Sequence, residues 1–189
     1  MRRYRGLPCA LAGGLLVGAI ASAGALEIGT ISPDFEMTTI EGKRFSLTET
    51  EKSHPATVVL FISTICPYSN RFDDLVRDMA SELGKKRVAF VGVNSGTLET
   101  EQEVRAHARD HGHTFDIIKD PDSRVAELLD ARRTPEVFLF DSSGTLRYHG
   151  RIASKIASPD LRTAIDALLD GKPIHPAETK AFGCAIPRH

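Results

Sequence analysis

One cysteine stands where a nucleophile would be placed. In "FISTICPYSN", Phe61 to Asn70, an apolar run stops at Cys66, and Pro67, Tyr68 and Ser69 lead straight into a helix-like sequence. A thiolate is the reactive form of cysteine, and it is favoured where the backbone amides of a helix N-terminus point at the sulfur. Pro67 suits the first helical turn, because the N–H it lacks would have no partner there. The ordinary fate of a lone cysteine is an inert thiol in a core. The position of Cys66 between strand and helix, beside polar Ser69 and Asn70, favours the reactive alternative. No second cysteine follows three residues on; Ser69 stands there instead, and Cys184 lies far away near the C-terminus.

The compartment bears on how those thiols are used. The chain opens with the basic "MRRYR", runs through the apolar "LPCALAGGLLVGAIA" and reaches small residues with Ala23 and Ala25 at the minus-three and minus-one positions of a cleavage site. This reads as a secretory signal peptide over residues 1–25, cut before Leu26. The alternative, a retained anchor, is disfavoured by a run that is short and rich in Gly and Ala. Cys9 precedes the apolar run and carries little weight as a lipidation site. The mature chain would then hold two of the three cysteines, Cys66 and Cys184, in an exported and oxidising setting, periplasmic or secreted. There they could form a structural staple, a redox pair or two unrelated thiols. With 24 basic and 25 acidic residues in 189 and no block of like charge, nothing asks for nucleic acid or, once the signal is cut, a membrane.

The elements that must position Cys66 follow from periodicity. "DFEMTTIEGKRFSL" alternates around Glu41-Gly42 as an opening hairpin, and "ATVVLFIS" is a continuous apolar run that reads as a buried central strand. From Asn70 the period becomes helical, with Phe72, Leu75, Val76, Met79 and Leu83 on one face and Gly84 as the stop. A buried strand "VAFVGVN", a polar helix through "LETEQEVRAHARDHG", then "FDII", a helical "DSRVAELLD", and strands "EVFLFD" and "TLRYHGRI" around a Ser142-Ser143-Gly144 turn follow. A last helix has Ser158 as N-cap and Pro159 at its first position, and ends at Gly171. Strands alternating with helices and closing in a hairpin predict an α/β three-layer sandwich, a mixed sheet with helices on both faces. The mature domain would span 26–171, and residues 172–189 form a tail carrying Cys184.

Cys66-Pro67-Tyr68-Ser69 resembles the C-P-Y-C site of glutaredoxins and the Cys-x-x-Cys of thioredoxins, with Ser69 in place of the second cysteine. "ISPDFEMTTIEGKRFSL" resembles the opening of redoxins of the alkyl hydroperoxide reductase and thiol-specific antioxidant group. "RRTPEVFLFDSSGTLRYHGRI" resembles the thioredoxin segment in which a cis-proline precedes a strand, and "AFGCAIP" is similar to the Gly-Cys tail of a peroxiredoxin-like subgroup. The resemblance covers nearly all of the mature chain and implies a thioredoxin fold. It implies that Cys66 is the attacking or peroxidatic thiol, supported by Ser63 and Ser69. Pro67, Tyr68, Thr134 and Pro135 would line the substrate face, the Thr134-Pro135 bond cis and the Thr134 backbone free to pair with a bound peptide. Typical peroxiredoxins carry a proline where Val59 stands, a Thr or Ser at Ser63, and a peroxide-polarising arginine where Pro135 stands; Arg133 or Arg132 would have to substitute for it. Cys66 has no local partner to resolve a mixed disulfide. The chain from Gly171 to Cys184 can extend roughly 43 Å, against a domain radius of roughly 15 Å. Cys184 could therefore be a resolving thiol, or a static or incidental one.

The reading is a thiol-dependent oxidoreductase acting in disulfide exchange or antioxidant defence. The alternatives are a peroxide-reducing enzyme with Cys184 as resolving thiol, and a non-catalytic binding module on a thioredoxin scaffold. Its partners would be a thiol reductant protein or a disulfide-bearing client, with peroxide as a further substrate; no metal or organic cofactor is needed. His107 and His111 share a helical face at metal-pair spacing, with His113 nearby. The strongly charged segment, without a nearby cysteine, reads instead as a solvated helix surface. His149 and His175 are isolated and receive no role.

Overall fold

The structure, a computed structural model, describes residues 26–187. The expected signal peptide and Cys9 lie outside them. In chain order the elements are β1 (Glu36–Thr38), β2 (Arg44–Ser46), α1 (Leu47–Ser53), β3 (Ala56–Phe61), α2 (Pro67–Asn70), α3 (Asp73–Gly84), β4 (Val88–Ser95) and α4 (Glu101–Asp110). There follow β5 (Asp116–Asp120), α5 (Arg124–Leu128), β6 (Arg133–Thr134), β7 (Glu136–Asp141), β8 (Leu146–Gly150), α6 (Asp160–Leu169) and β9 (Cys184–Ala185).

The central sheet has the order β5-β4-β3-β7-β8. The pairs β3–β4 and β4–β5 are parallel, while β3–β7 and β7–β8 are antiparallel. This is the expected mixed sheet. The opening hairpin forms too, β1 pairing β2 in a small separate sheet. Every residue of β3 is buried, as a strand covered on both faces requires. Its side chains alternate: Val58 and Leu60 join a cluster with Val76, Met79, Leu83, Leu161 and Ile165 from α3 and α6, while Val59 and Phe61 join one with Leu47, Val125 and Leu129. Val137 and Leu139 of β7 point to the first layer, Phe138 and Phe140 to the second. Each such side chain contributes about 1.5–3 kcal/mol on burial, so the C-terminal end of β3 is a rigid platform.

Three details differ from the sequence expectations. The helix after Cys66 is two: α2 is one turn, capped by Arg71, and α3 starts afresh at Asp73 because Phe72 sits outside helical geometry (φ −105°, ψ 2°). Asp73 and Asp74 then occupy the first turn of α3, where the helix dipole favours negative charge. The last helix begins one residue later than expected, with Pro159 rather than Ser158 as N-cap, because Pro159 has extended backbone (ψ 128°). The third concerns the tail, which is fastened along the sheet edge. His149 N–H donates to the Ala177 carbonyl, Thr179 N–H to the His149 carbonyl, and Thr179 Oγ1 contacts Tyr148 Oη at 2.7 Å. Covering β8 in this way removes an exposed strand edge and sends the chain on toward β6.

Candidate active site

Cys66 follows β3 and is the N-cap of α2, buried to 1 % exposure. Pro67 is the first residue of α2. Ser69, buried, accepts a hydrogen bond from the Ser63 N–H at 3.2 Å, so the residue standing in the second-cysteine position ties the strand end to the helical turn. Ser63 Oγ donates to Glu99 Oε2 at 2.9 Å. The carboxylate of Glu99 also accepts from the Thr64 N–H and, at 2.9 Å, from Asn94 Nδ2. Three donors make a buried carboxylate tolerable. Sequence reasoning passed over Glu99, since an acidic residue in a turn after a strand carries no signal of its partners.

Across from Cys66 lies β6. The Thr134-Pro135 peptide bond is cis, and the Cys66 thiol donates to the Thr134 carbonyl at 3.1 Å. The Thr134 backbone, expected to be free, is already paired: β9 runs antiparallel to β6 with Thr134 opposite Cys184 and Arg133 opposite Ala185. Ile186 N–H extends the contact to the Arg132 carbonyl at 3.0 Å, and the Ile186 side chain is buried. The tail thus lies on the peptide edge beside the cis-proline, and this pairing brings the Cys184 thiol into hydrogen-bonding contact with Cys66. Both cysteines are free thiols.

The two sulfurs are inequivalent. Burial opposes ionisation of Cys66, but hydrogen bonds from the Cys184 thiol, the Ser69 N–H, the Thr134 side chain and the Cys184 N–H together hold its pKa below the ordinary value. Cys184 is pushed up to about 11, first by its hydrogen bond to Cys66 and then by burial. Of the two, Cys66 ionises the more readily, with Cys184 the protonated donor to it.

Neither expected arginine serves the sulfur. Arg133 Nη1 donates to the Gly183 carbonyl at 3.1 Å, and Arg132 pairs with Asp130 at 2.9 Å. Their backbone N–H groups both donate to Glu136 Oε2, at 2.7 and 2.9 Å, while Glu136 Oε1 meets His149 Nε2 at 2.7 Å. His149, given no role from sequence, thus helps brace the segment before Pro135, its ring stacked on Phe138 at 4.4 Å. A cavity of about 170 Å³, lined by Ser63, Cys66, Glu99, Thr134, Cys184 and Ile186 among others, opens at the sulfurs. Ile65 and Leu98 are exposed beside it, and exposed Tyr68 meets Phe182 of the tail edge-on at 5.2 Å. A second cavity of about 190 Å³, on the Pro135 side, is lined by Tyr68, Phe72, Pro135, Ile152, Ile156 and Phe182 among others.

Comparison with known proteins agrees with this geometry. Residues 28–149 match the AhpC/TSA family. The chain is 26% identical over 123 residues to the thiol-disulfide oxidoreductase ResA of Geobacillus thermodenitrificans, covering 65% of this chain and 68% of the relative. A solved structure of a hypothetical protein from Sinorhizobium meliloti 1021 superposes with a TM-score of 0.80 at 30% identity, over 88% of this chain and 97% of that one. An uncharacterized conserved protein from Geobacillus kaustophilus gives a TM-score of 0.80 at 27% identity, over 87% and 93%. The chain belongs to the AhpC/TSA family, as a thiol-dependent oxidoreductase with a thioredoxin-like fold.

Proposed function

We propose that the protein is a thiol-disulfide exchange enzyme in which Cys66 is the nucleophile and Cys184 the resolving thiol. The observation that carries this is the β6–β9 pairing, which holds Cys184 against the lowered-pKa Cys66 beside the cis-proline. The Cys66 thiolate attacks one sulfur of a client disulfide, forming a mixed disulfide and releasing the first client thiolate. Cys184, giving up its proton, attacks Cys66 Sγ; the Cys66–Cys184 disulfide forms and the second client thiol leaves. The client gains two electrons, and an external dithiol protein must return two to the enzyme. Ser63, Ser69 and Glu99 hold the strand end and helical turn around Cys66. Tyr68, Pro67, Pro135 and Arg133 border the surface a client would meet.

The same pair could cycle with peroxide: Cys66 would be oxidised to a sulfenic acid, water leaving, and Cys184 would condense with it to the disulfide. Disulfide exchange is favoured because the guanidinium groups of Arg132 and Arg133 are engaged away from the sulfur. We further propose that residues 1–25 are a signal peptide, that 26–171 form the redoxin domain and 172–189 its redox tail, and that the mature protein works outside the cytoplasm. Among the described residues no helix is long and apolar enough to cross a membrane.

The test is thiol trapping with mass spectrometry after mixing the reduced protein with a disulfide-bearing peptide or with hydrogen peroxide. Wild type should yield a Cys66–Cys184 disulfide with the peptide far faster than with peroxide, and Cys184→Ala should accumulate the mixed disulfide at Cys66. Faster oxidation by peroxide would replace exchange with peroxidase chemistry, and full reduction of the peptide by Cys66→Ser would end both readings.

A further inference from the structure

The helix surface expected to be solvated carries a partly buried cluster. His107 lies near the end of α4, His111 is its C-cap, and Gly112 follows with φ +67°, the left-handed conformation that glycine adopts freely. His113 N–H then donates back to the Ala108 carbonyl and Gly112 N–H to the Arg109 carbonyl, a Schellman closure that folds His113 onto the same end of the helix. Opposite stands Asp73, the first residue of α3, only 7 % exposed at its side chain.

Asp73 Oδ2 lies 3.1 Å from His107 Nε2 and 3.6 Å from His111 Nδ1, and Asp73 Oδ1 lies 3.5 Å from His113 Nε2. Tetrahedral zinc with bonds near 2.0–2.1 Å requires ligand atoms about 3.3 Å apart. The two separations to Oδ2 straddle that edge length, and the ligand atoms of Asp73, His107 and His111 all lie within 4.8 Å of one another; His113 faces the other carboxylate oxygen beside them. Independently, His113 is 1 % exposed at its side chain, and neither of its ring nitrogens has a hydrogen-bond partner. An imidazole stacked on Phe115 at 5.0 Å, with both nitrogens unpaired, is costly unless something ligates it.

We propose that Asp73, His107 and His111 bind a divalent transition-metal ion, Zn²⁺ by ligand type, at a site bordered by the buried His113 ring. Two imidazole nitrogens and one carboxylate oxygen fill three positions, and the fourth tetrahedral position is open to water or to the unpaired His113 nitrogen. The ion would fasten the start of α3, the helix downstream of Cys66, to the end of α4.

The experiment must exclude the thiols, so the full chain carrying Cys66→Ser and Cys184→Ser is titrated with Zn²⁺ against a chromophoric chelator. In parallel, Co²⁺ is followed by its visible absorption. One saturable equivalent is expected, with the intense visible bands of tetrahedral Co²⁺ and a zinc-dependent rise in melting temperature. Asp73→Asn, and separately His111→Ala at the most exposed of the three histidines, should each weaken Zn²⁺ binding at least tenfold and abolish the thermal shift. Absence of a saturable equivalent in the thiol-free parent would overturn the proposal whether or not the variants fold. So would folded variants that bind as the parent does.

Discussion

Replacing Gly183 by alanine tests the tail without touching either thiol. A Cβ at Gly183 would lie 2.0 Å from the Thr134 carbonyl oxygen, 2.7 Å from its carbon and 3.2 Å from Pro135 Cδ. Non-bonded heavy atoms settle at roughly 3.5–4.0 Å, and the obstacle is backbone whose preceding N–H groups are held by Glu136, so the tail must move by about 1 Å or more. A shift of that size takes the β6–β9 hydrogen bonds outside their working range of roughly 2.7–3.2 Å and withdraws Cys184 from Cys66. The thiolate then loses the hydrogen bond from Cys184 that helps hold the Cys66 pKa down. The pH profile of Cys66 alkylation by iodoacetamide should therefore move to higher pH. Cys66–Cys184 disulfide formation should slow by roughly tenfold to a hundredfold, the usual cost of misplacing a reacting group by 1 Å. Global stability should change little, because the tail remains fastened upstream through Thr179. Gly84→Ala, where an added Cβ meets nothing within 4 Å, is the control. An unchanged alkylation profile and unchanged disulfide formation in folded Gly183→Ala would refute the reasoning.

Cys184→Ala should likewise raise the apparent pKa of Cys66, with slower alkylation at pH 7; a profile identical to wild type would mean that the thiol pair does not set Cys66 reactivity. Glu51, buried and accepting from Ser32 Oγ at 2.8 Å, is raised to about 7, chiefly by burial. A raised carboxyl supports the fold below its unfolded pKa and loses that support as pH climbs to 7, on the order of 3 kcal/mol in all. Urea unfolding should thus show Glu51→Gln stabilising the protein more at pH 8 than at pH 4, and an equal effect at both would exclude this origin. Glu99→Ala should cost about 1–3 kcal/mol in the same assay, by leaving the Thr64 N–H and Asn94 amide short of an acceptor; a neutral substitution would mean water replaces the carboxylate there.

What the sequence could and could not convey follows from the range of each interaction. The continuous apolar run of "ATVVLFIS" and the helical spacing of Val76, Met79 and Leu83 are local consequences of burial, and the strand, helix and sheet class follow from them. The break at Phe72 escaped because one non-helical residue leaves apolar spacing almost unchanged. Cys66 was legible from its neighbours Pro67 and Ser69. The partners of Glu99 and His149 were not, because Ser63 lies 36 residues before Glu99 and Glu136 lies 13 before His149. The histidines were misread as solvated for a related reason. Spacing showed His107 and His111 on one face of α4, but what covers that face is Asp73, 34 residues earlier.

The tail's placement bears on how an exchange cycle with Ser69 in the second-cysteine position would have to run. A Cys-x-x-Cys enzyme keeps its resolving thiol on the helix, so a client can occupy the peptide edge while resolution proceeds. Here the proposed resolving thiol arrives on a strand that itself occupies that edge, through Thr134. A client paired with Thr134 and a docked Cys184 exclude each other. The client strand must leave as the tail strand returns, which couples release of the reduced client to closure of the Cys66–Cys184 disulfide. The cost of undocking is limited to a two-residue ladder, the Ile186 contact and the Tyr68–Phe182 ring pair, while the upstream tail stays anchored at β8 and keeps Cys184 at high effective concentration. An extended client strand with an aromatic or aliphatic residue where Phe182 lies would use the same Tyr68 surface. Such peptides should therefore be reduced faster than polar ones of equal length, and a flat preference across that series would separate the exchange chemistry from any strand displacement.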